Sequence, residues 1–309
     1  MTRSWRRSPH DPLPWLLGGP RLHPHPRRVA RGRRPLRRAR PGAPRPRRRP
    51  LHPSDAPLEA TFTLHETHYT LGRYRSAFVR AFDLARSAPD ARLRVRAAGQ
   101  YVALAELFSA PPLPVLNPPE APCRGVSKLF HATAIARHLG WPTPRSCLTN
   151  DPAAARDFVA SCPTGVIFKG ASTDKTYASL YNHNVHDSRL RLIRDCPVLF
   201  QERIAGPNMR VYVIGDGVIG RRTESPALDH RLSTEQICST VEVPATIAKR
   251  AFRLSMLMET PMLAIDFKVQ AETGTWFFLE ANIMMQYRRE DIQLDGLITR
   301  AVIAWLTRE

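Results

Sequence analysis

The sequence predicts an α+β fold with more than one lobe, and three observations lead to this prediction. Segments with helical spacing and segments with strand character alternate from about Thr61 onward. Two apolar runs flank Gly215-Asp216-Gly217, which is typical of a β-hairpin. A short turn, Ala271 to Thr275, separates two further apolar runs, which are therefore expected to be antiparallel neighbours. Hairpins mixed with helices favour an α+β architecture over a regular parallel sheet.

Residues 1–53 form a strongly basic segment that differs from the rest of the chain. They contain 16 Arg, 12 Pro and a single acidic residue, Asp11, and carry +15 of the total charge of +19. This composition cannot bury enough apolar area to offset chain entropy, so we expect the segment to be disordered. Three explanations stay open: a basic arm for nucleic acid or an acidic surface, an inert extension, or sequence upstream of the true start. Dense like charge without interleaved aromatic residues argues against specific nucleic-acid binding.

The rest of the chain, from Ser54 onward, is nearly balanced, with 30 basic and 26 acidic residues. It has no apolar run of about 18 residues, so no transmembrane helix is expected. The five cysteines are scattered and form no CxxC pair, which argues against a disulfide framework and against a zinc site. These features lead us to expect a cytoplasmic protein.

We divide the chain into a disordered tail (1–53), a short N-terminal region (54–114) and a larger domain (115–309). Residues 73–85 carry apolar residues at helical spacing and predict a helix. The proline-rich stretch at 109–122 marks the boundary, near residue 112.

The larger domain is expected to begin with two capped helices. Ser127 and Gly140 bound the first helix, and Asn150 caps the second, with Pro152 in its first turn. The remaining elements follow in chain order: strands at 164–170 and 197–204, a hairpin at 209–222, a helix at 244–258, strands at 261–270 and 275–282, and a closing helix at 294–306.

Three oxygen-bearing side chains lie in the last two predicted strands. Asp266 lies within "LAIDFKV", and Glu280 and Asn282 end "TWFFLEAN". Residues two apart in a strand share a face, so the three side chains can converge. Without Cys or His nearby, these donors favour a hard cation, magnesium above all, which usually carries nucleotide phosphates as well. The alternative is that Asp266 pairs with an arginine or lysine and that Glu280 ends its strand in solvent.

Lysine is rare in this chain, with five Lys against 41 Arg. Lys128 lies in the first turn of a predicted helix, and Lys169 ends a buried strand. Lysine carries a compact charge that suits phosphate oxygens. For each lysine taken singly, an ordinary surface position remains the alternative.

An ordered set of segments carries a family resemblance. In chain order, these are "NPPEAPCRGVSK", "GWPTPRSCLTND", "GVIFKG", "VLFQERIAGPNMRVYVIGD", "LAIDF" and "FLEAN". The set resembles the ATP-grasp superfamily, most closely the RimK-like carboxylate–amine ligases and the related graspetide (peptide-macrocycle) ligases. The resemblance extends from about Val115 to Leu306. It implies an ATP-grasp fold, in which two α/β lobes clamp ATP, preceded here by a shortened N-terminal domain.

The resemblance also implies roles for individual residues. Lys128 and Lys169 match the lysines that hold ATP phosphates. The hinge between the lobes, whose backbone meets the adenine, matches Gln201, Glu202, Arg203 and Ile204. The ligands of magnesium, or of manganese in its place, match Asp266, Glu280 and Asn282. Arg210 and Arg231 match catalytic positions near the phosphates or the acyl group, and they are expected to stabilise the developing oxyanion.

The implied activity is that of an ATP-dependent, ADP-forming ligase that activates a carboxylate as an acyl phosphate and joins it to an amine. RimK-like amino-acid or peptide ligation is the first expectation, with small-molecule or peptide substrates. A graspetide-type ligase forming ester or amide macrocycles is one alternative. Another is a nucleotide-binding protein without catalysis, because the loop "GASTDKTYASLYNHN" has a single glycine where the family's phosphate loop is glycine-rich. A protein that binds nucleic acid through its arginine-rich arm is the third.

Overall fold

A computed structural model describes residues 60–64, 66–79, 90–109, 113–118, 133, 135–171, 177–225, 228 and 235–308. All of them belong to one unit, Pro53–Glu309. Several predictions lie outside the described residues, namely the tail at 1–53, Ser127, Lys128, Arg231 and residues 172–176 of the loop that follows Gly170. Within the described ranges, no helix combines the length and the apolar character that crossing a bilayer requires.

Small elements precede the two main sheets. Strands β1 (Thr61–Leu64) and β2 (Thr67–Thr70) form an antiparallel hairpin, and a short 3₁₀ helix (Leu71–Arg73) follows it. The long helix α1 (Ala91–Ser109) comes later in the chain, and several of its apolar side chains, including Val95, are exposed.

The helix predicted at 73–85 is wrong where the structure describes this segment. Strand β3 (Ala77–Phe78) pairs in parallel with β4 (Val115–Leu116). The Ala77 N–H donates to Pro114 O at 2.9 Å, and the Val79 N–H donates to Leu116 O at 3.2 Å. Helical spacing is a local signal, whereas these bonds come from a partner distant in sequence. The strand pair joins segments on both sides of the boundary predicted near residue 112.

A four-stranded antiparallel sheet forms the first lobe. Its strands are β5 (Ser146–Thr149), β6 (Val166–Gly170), β7 (Ser179–Leu180) and β8 (Val198–Glu202), in the order β5-β8-β6-β7. The strands predicted at 164–170 and 197–204 are thus confirmed as β6 and β8. We call this sheet the N-lobe sheet.

Helices cover one face of the N-lobe sheet. They are α3 (Pro152–Ala160), the single turn α4 (His183–His186) and a 3₁₀ helix (Asp187–Asp195). Leu190 and Ile193 pack with Phe200 of β8 in one apolar cluster. The cap of α3 is Asp151 rather than the predicted Asn150, because Asp151 Oδ1 accepts from the Ala153 N–H at 2.9 Å.

A five-stranded antiparallel sheet forms the second lobe. It contains β9 (Asn208–Ile214), β10 (Gly217–Glu224), β11 (Ile237–Val241), β12 (Met262–Val269) and β13 (Trp276–Asn282), in the order β11-β10-β9-β12-β13. The predicted hairpin is β9 and β10, and the last two predicted strands are the antiparallel pair β12 and β13. We call this sheet the C-lobe sheet.

The turn of the β9–β10 hairpin requires glycine at its first position. Gly215 has a positive φ of 56°, and a Cβ atom there would lie 2.3 Å from Trp305 Cδ1. Its N–H donates to Pro261 O at 2.8 Å, which ties the turn to the residue just before β12.

One face of the C-lobe sheet is an apolar core. Helix α5 (Ala245–Leu257) and the short α2 (Ala136–Leu139), which ends at left-handed Gly140, pack against it. The Trp141 ring stacks on Phe278, with the ring centroids 5.1 Å apart and the planes 5° from parallel. The predicted helix at 244–258 and the predicted end at Gly140 are therefore confirmed.

The opposite face of the C-lobe sheet is apolar only in part. Helices α6 (Arg288–Gln293) and α7 (Leu297–Thr307) cover one portion, where Ile298 and Val302 pack against Tyr212 and Met262. The remainder of this face carries charged and polar side chains. We call this remaining part, which carries Arg210, Asp266, Lys268 and Glu280, the polar face. It holds the candidate site.

Candidate active site on the C-lobe sheet

Arg210, Asp266 and Glu280 lie side by side on three neighbouring strands. The strand register pairs Asp266 of β12 with Arg210 of β9 on one side and with Glu280 of β13 on the other. Directly opposed residues of an antiparallel sheet project from the same face. Asn282 lies two residues after Glu280, opposite Ala264, and so shares that face. The structure therefore brings the three predicted metal ligands and Arg210 together.

A β-bulge aims Glu280 at the polar face. The pairing of β12 with β13 shifts between Asp266 and Phe267, so that Leu279 is the extra residue. As a result Phe278 and Ala281, three residues apart, both lie in the apolar core. Glu280 projects to the other side, next to Asp266.

Both carboxylate oxygens of Asp266 have partners. The Arg210 Nη1 lies 3.3 Å from Asp266 Oδ1, and the Asn282 Nδ2 donates to Asp266 Oδ2 at 2.8 Å. The side chains of Arg210 and Asp266 are only 16% and 24% exposed, so water screens the pair weakly. Asp266 therefore pairs with an arginine, as the alternative interpretation expected. The three oxygen donors also converge on one face, as the metal-site interpretation expected.

The electrostatics of Arg210 depend on these carboxylates. Burial disfavours the charged guanidinium, but the nearby Asp266 carboxylate opposes this, with smaller contributions from Tyr212, Glu290 and Glu280. The net effect raises the pKa of Arg210 above its ordinary value. Its Cζ lies 5.5 Å from the centre of the Tyr212 ring, and its Nε is buried without a hydrogen-bond partner in the described structure. Arg210 is thus a fixed cation with an unused donor.

The donors on the polar face fit a hard cation. Two carboxylates and one amide supply oxygen atoms only, which is the chemistry that magnesium prefers. The described residues contain no group of three or more His, Cys, Asp and Glu that could hold a metal ion, and the third oxygen donor on this face is the amide of Asn282. Each carboxylate oxygen has a second lone pair, so the bonds from Arg210 and Asn282 leave acceptor capacity on Asp266.

Arg221 extends this row by one more strand and was not singled out in the sequence. It lies opposite Arg210, on β10, and is only 2% exposed. Its Nη2 donates to Gln293 Oε1 at 2.8 Å and lies 2.9 Å from the Cys238 sulfur. Two opposed arginines are unfavourable in a sheet unless something offsets their charge. The signal that could have found Arg221 is the predicted hairpin turn at Gly215, because the turn sets the β9–β10 register.

On the N-lobe sheet, Lys169 lies on the face opposite the helices. The Lys169 Nζ donates to Gln201 Oε1 at 3.3 Å, and Gln201 Nε2 donates to Ser146 Oγ at 3.0 Å. Gln201 is 5% exposed, so its side chain orders the sheet and holds Lys169. Lys128, the second predicted phosphate lysine, lies outside the described residues.

The segment between β8 and β9 is bonded to both lobes. At its start, the Glu202 N–H donates to Arg145 O at 2.8 Å and the Arg203 N–H donates to Gly165 O at 2.9 Å, both in the first lobe. At its end, the Ala271 N–H donates to Ala205 O at 3.0 Å, beyond the end of β12. Among the described residues, the last of these bonds to the first lobe is at Arg203, and the bonds to the second lobe begin at Ala205. Ile204 therefore lies where a hinge is expected.

A cavity of about 390 Å³ borders this segment. Its lining includes Leu180 of β7, residues 203–207, and Asn208, Thr223 and Lys268 of the C-lobe sheet. The Lys268 Nζ donates to Gly206 O at 2.7 Å. Burial of the ammonium, and then the nearby Arg203, lower the pKa of Lys268. The cavity thus lies beside two of the four predicted hinge residues, Arg203 and Ile204.

Comparison by sequence identifies no relative. No protein-family model matches the chain, and no curated protein matches it either.

Comparison by structure finds similar folds. PsnB, an ATP-grasp ligase complexed with minimal precursor, Mg and ADP, is 27% identical, with 75% of this chain and 78% of PsnB covered and a TM-score of 0.58. The macrocyclase MdnC from Microcystis aeruginosa MRC, bound with precursor peptide MdnA, is 20% identical, with 84% and 86% covered and a TM-score of 0.64. A RiPP-associated ATP-grasp ligase from Chryseobacterium gregarium, in complex with ADP and a leader and core peptide, is 20% identical, with 80% of each chain covered and a TM-score of 0.61.

Proposed function

We propose, on the premise that this chain is a member of the ATP-grasp superfamily related to the graspetide ligases, that it is an ATP-dependent ligase acting on a peptide carboxylate. The observation that carries this proposal is the row of Arg210, Asp266 and Glu280, joined by Asn282, on the polar face. The fold alone would leave the chemistry open, because function belongs to the site.

The proposed chemistry takes two steps. A substrate carboxylate oxygen attacks the γ-phosphorus of ATP in line, and ADP leaves as the acyl phosphate forms. An amine or hydroxyl then attacks the activated carbonyl and loses its proton to solvent, while phosphate leaves. The products are an amide or ester, ADP and phosphate.

The residues of the chain bind and orient the reactants in this scheme. Magnesium held by Asp266, Glu280 and Asn282 would neutralise phosphate charge. Lys169, which donates a hydrogen bond to Gln201, would hold phosphate oxygens from the N-lobe sheet. Arg210 is a buried cation with an unused Nε donor, and it would stabilise negative charge that develops at the polar face. Lys128 is proposed to hold ATP phosphates, and Arg231 is proposed to stabilise the developing oxyanion. Both residues lie outside the described part of the chain.

The structural neighbours support a peptide substrate. PsnB, MdnC and the Chryseobacterium gregarium ligase were each solved with a precursor or a leader and core peptide. We therefore place peptide modification of the graspetide type ahead of RimK-like ligation of free amino acids. A cytoplasmic location remains a prediction.

Trapping with hydroxylamine tests the activity without knowledge of the natural nucleophile. Full-length protein is incubated with ATP, magnesium and hydroxylamine, and either with a peptide that contains Glu, Thr and Lys or with free L-glutamate. We expect ADP release and a peptide hydroxamate, detected by mass spectrometry, and loss of both in Asp266→Asn.

Hydroxamate formed from glutamate alone would support the RimK-like alternative. Nucleotide binding without ADP release in either arm would contradict catalysis and support a binding protein.

A further inference from the structure

Lys268 lies on the polar face between the candidate metal ligands and the hinge. It follows Asp266 by two residues on β12, so the two side chains share a face and their Cα atoms lie about 7 Å apart. The next residue, Val269, donates its N–H to Pro207 O at 3.2 Å and so contacts the hinge segment. If a nucleotide binds with its phosphates at Asp266 and its base at the hinge, its ribose would lie next to Lys268.

The neighbours of Lys268 form a polar row on the sheet. Lys268 pairs in register with Asn208 of β9, and Asn208 pairs with Thr223 of β10. An ammonium, an amide and a hydroxyl therefore line one end of the cavity. This combination offers both donors and acceptors, which the hydroxyls of a sugar require.

Lys268 is held in place but still has donors to offer. Its Nζ donates one hydrogen bond to Gly206 O at 2.7 Å. A lysine ammonium has three N–H donors, so two remain after this bond. Gly206 cannot be replaced without displacing the hinge, because its φ is 139° and a Cβ there would lie 1.9 Å from Val269 O. The ammonium is thus fixed at the wall of the cavity by a rigid acceptor.

The charge of the cavity favours an anionic ligand. Its lining includes Arg203, Arg222 and Lys268 but a single carboxylate, Glu224. That carboxylate lies 2.5 Å from Arg222. Within the described lining, Arg203 and Lys268 therefore have no carboxylate of their own.

We propose that Lys268 is a nucleotide-positioning residue whose ammonium holds the hinge through Gly206 and donates a second hydrogen bond to a ribose hydroxyl of the bound nucleotide. This inference rests on the proposed function. It adds a residue on β12 to the nucleotide site that the family resemblance did not mark.

The test measures the affinity of full-length protein for ATP, 2′-deoxy-ATP and 3′-deoxy-ATP by calorimetry with magnesium. Wild-type protein should bind ATP about tenfold more tightly than at least one deoxy analogue, because a bond to a charged donor is lost. Lys268→Met should bind ATP about tenfold more weakly and should bind that analogue as well as it binds ATP. Lys268→Arg, which keeps a charged donor, should restore part of the preference. Lys249→Met, at an exposed position of α5, is the matched control and should behave as wild type.

Two outcomes would overturn the inference. Equal wild-type affinities for ATP and both analogues would exclude the ribose bond without any mutant. A uniform loss for all three nucleotides in Lys268→Met would show a role limited to holding the hinge. Failure of wild-type protein to bind ATP at all is a different result, since it would contradict the proposed function itself.

Discussion

Asp266 connects the predicted metal ligands to the predicted catalytic arginine. Its two oxygens contact Arg210 and Asn282, and it lies opposite Glu280. A buried arginine needs such a partner, because an unpaired charge at low exposure is costly. Asp266 therefore has a structural role as well as its proposed role in binding a cation.

Asp266→Asn should destabilise the fold because it leaves Arg210 without its carboxylate. We expect a loss of about 2–3 kcal/mol in the free energy of unfolding, somewhat less than for a fully buried pair. Urea denaturation measures it. The control is Glu224→Gln in the Arg222–Glu224 pair, which lies in the same sheet with side chains 45% and 50% exposed and should cost under about 1 kcal/mol. Equal losses for the two variants would contradict the account of Asp266.

The start of helix α7 is fixed by a side chain from the helix before it. Asp291 Oδ1 accepts from the Ile298 N–H at 2.8 Å and from the Thr299 N–H at 3.0 Å, and Oδ2 accepts from the Thr299 hydroxyl. These bonds satisfy N–H groups that the helix leaves free at its first turn. They also join α7 to α6, which supplies Gln293 to Arg221.

Removing this cap should loosen the packing of α7 on the apolar portion of the C-lobe sheet. Asp291→Ala should cost about 1–2 kcal/mol of stability, and Asp291→Asn less, because the amide oxygen still accepts one bond. Thermal unfolding of the two variants measures the difference. Glu272→Ala, at an exposed position in the turn between β12 and β13, is the control. Equal stability of Asp291→Ala and wild-type protein would show that packing alone positions α7.

Within the part of the chain that the structure describes, the two main sheets, the N-lobe sheet and the C-lobe sheet, are joined through the segment around Ile204. The ATP-grasp fold predicted from the ordered sequence segments is confirmed by the solved structures. The convergence of the candidate metal ligands was predictable because antiparallel strands with a short turn fix which side chains are neighbours. Asp266, Glu280 and Asn282 thus converge as the strand pattern indicates.

Other features depend on contacts that the sequence does not encode locally. Lys268 gains its position from the register of β9 with β12, and no short turn joins these two strands to set that register. The bulge at Leu279 has no composition signal of its own. Ala77–Phe78 was predicted as helix, because its parallel partner β4 lies in another part of the chain.

The central claim is that the polar face binds ATP with magnesium, and calorimetry of full-length protein tests it most directly. ATP is titrated with and without magnesium into wild type, Glu280→Gln and the control Glu242→Gln, whose residue is exposed before α5. We predict binding that requires magnesium, is at least about tenfold weaker in Glu280→Gln and is unchanged in the control. Folded wild-type protein that binds no ATP, or binding indifferent to both magnesium and Glu280, would contradict the account.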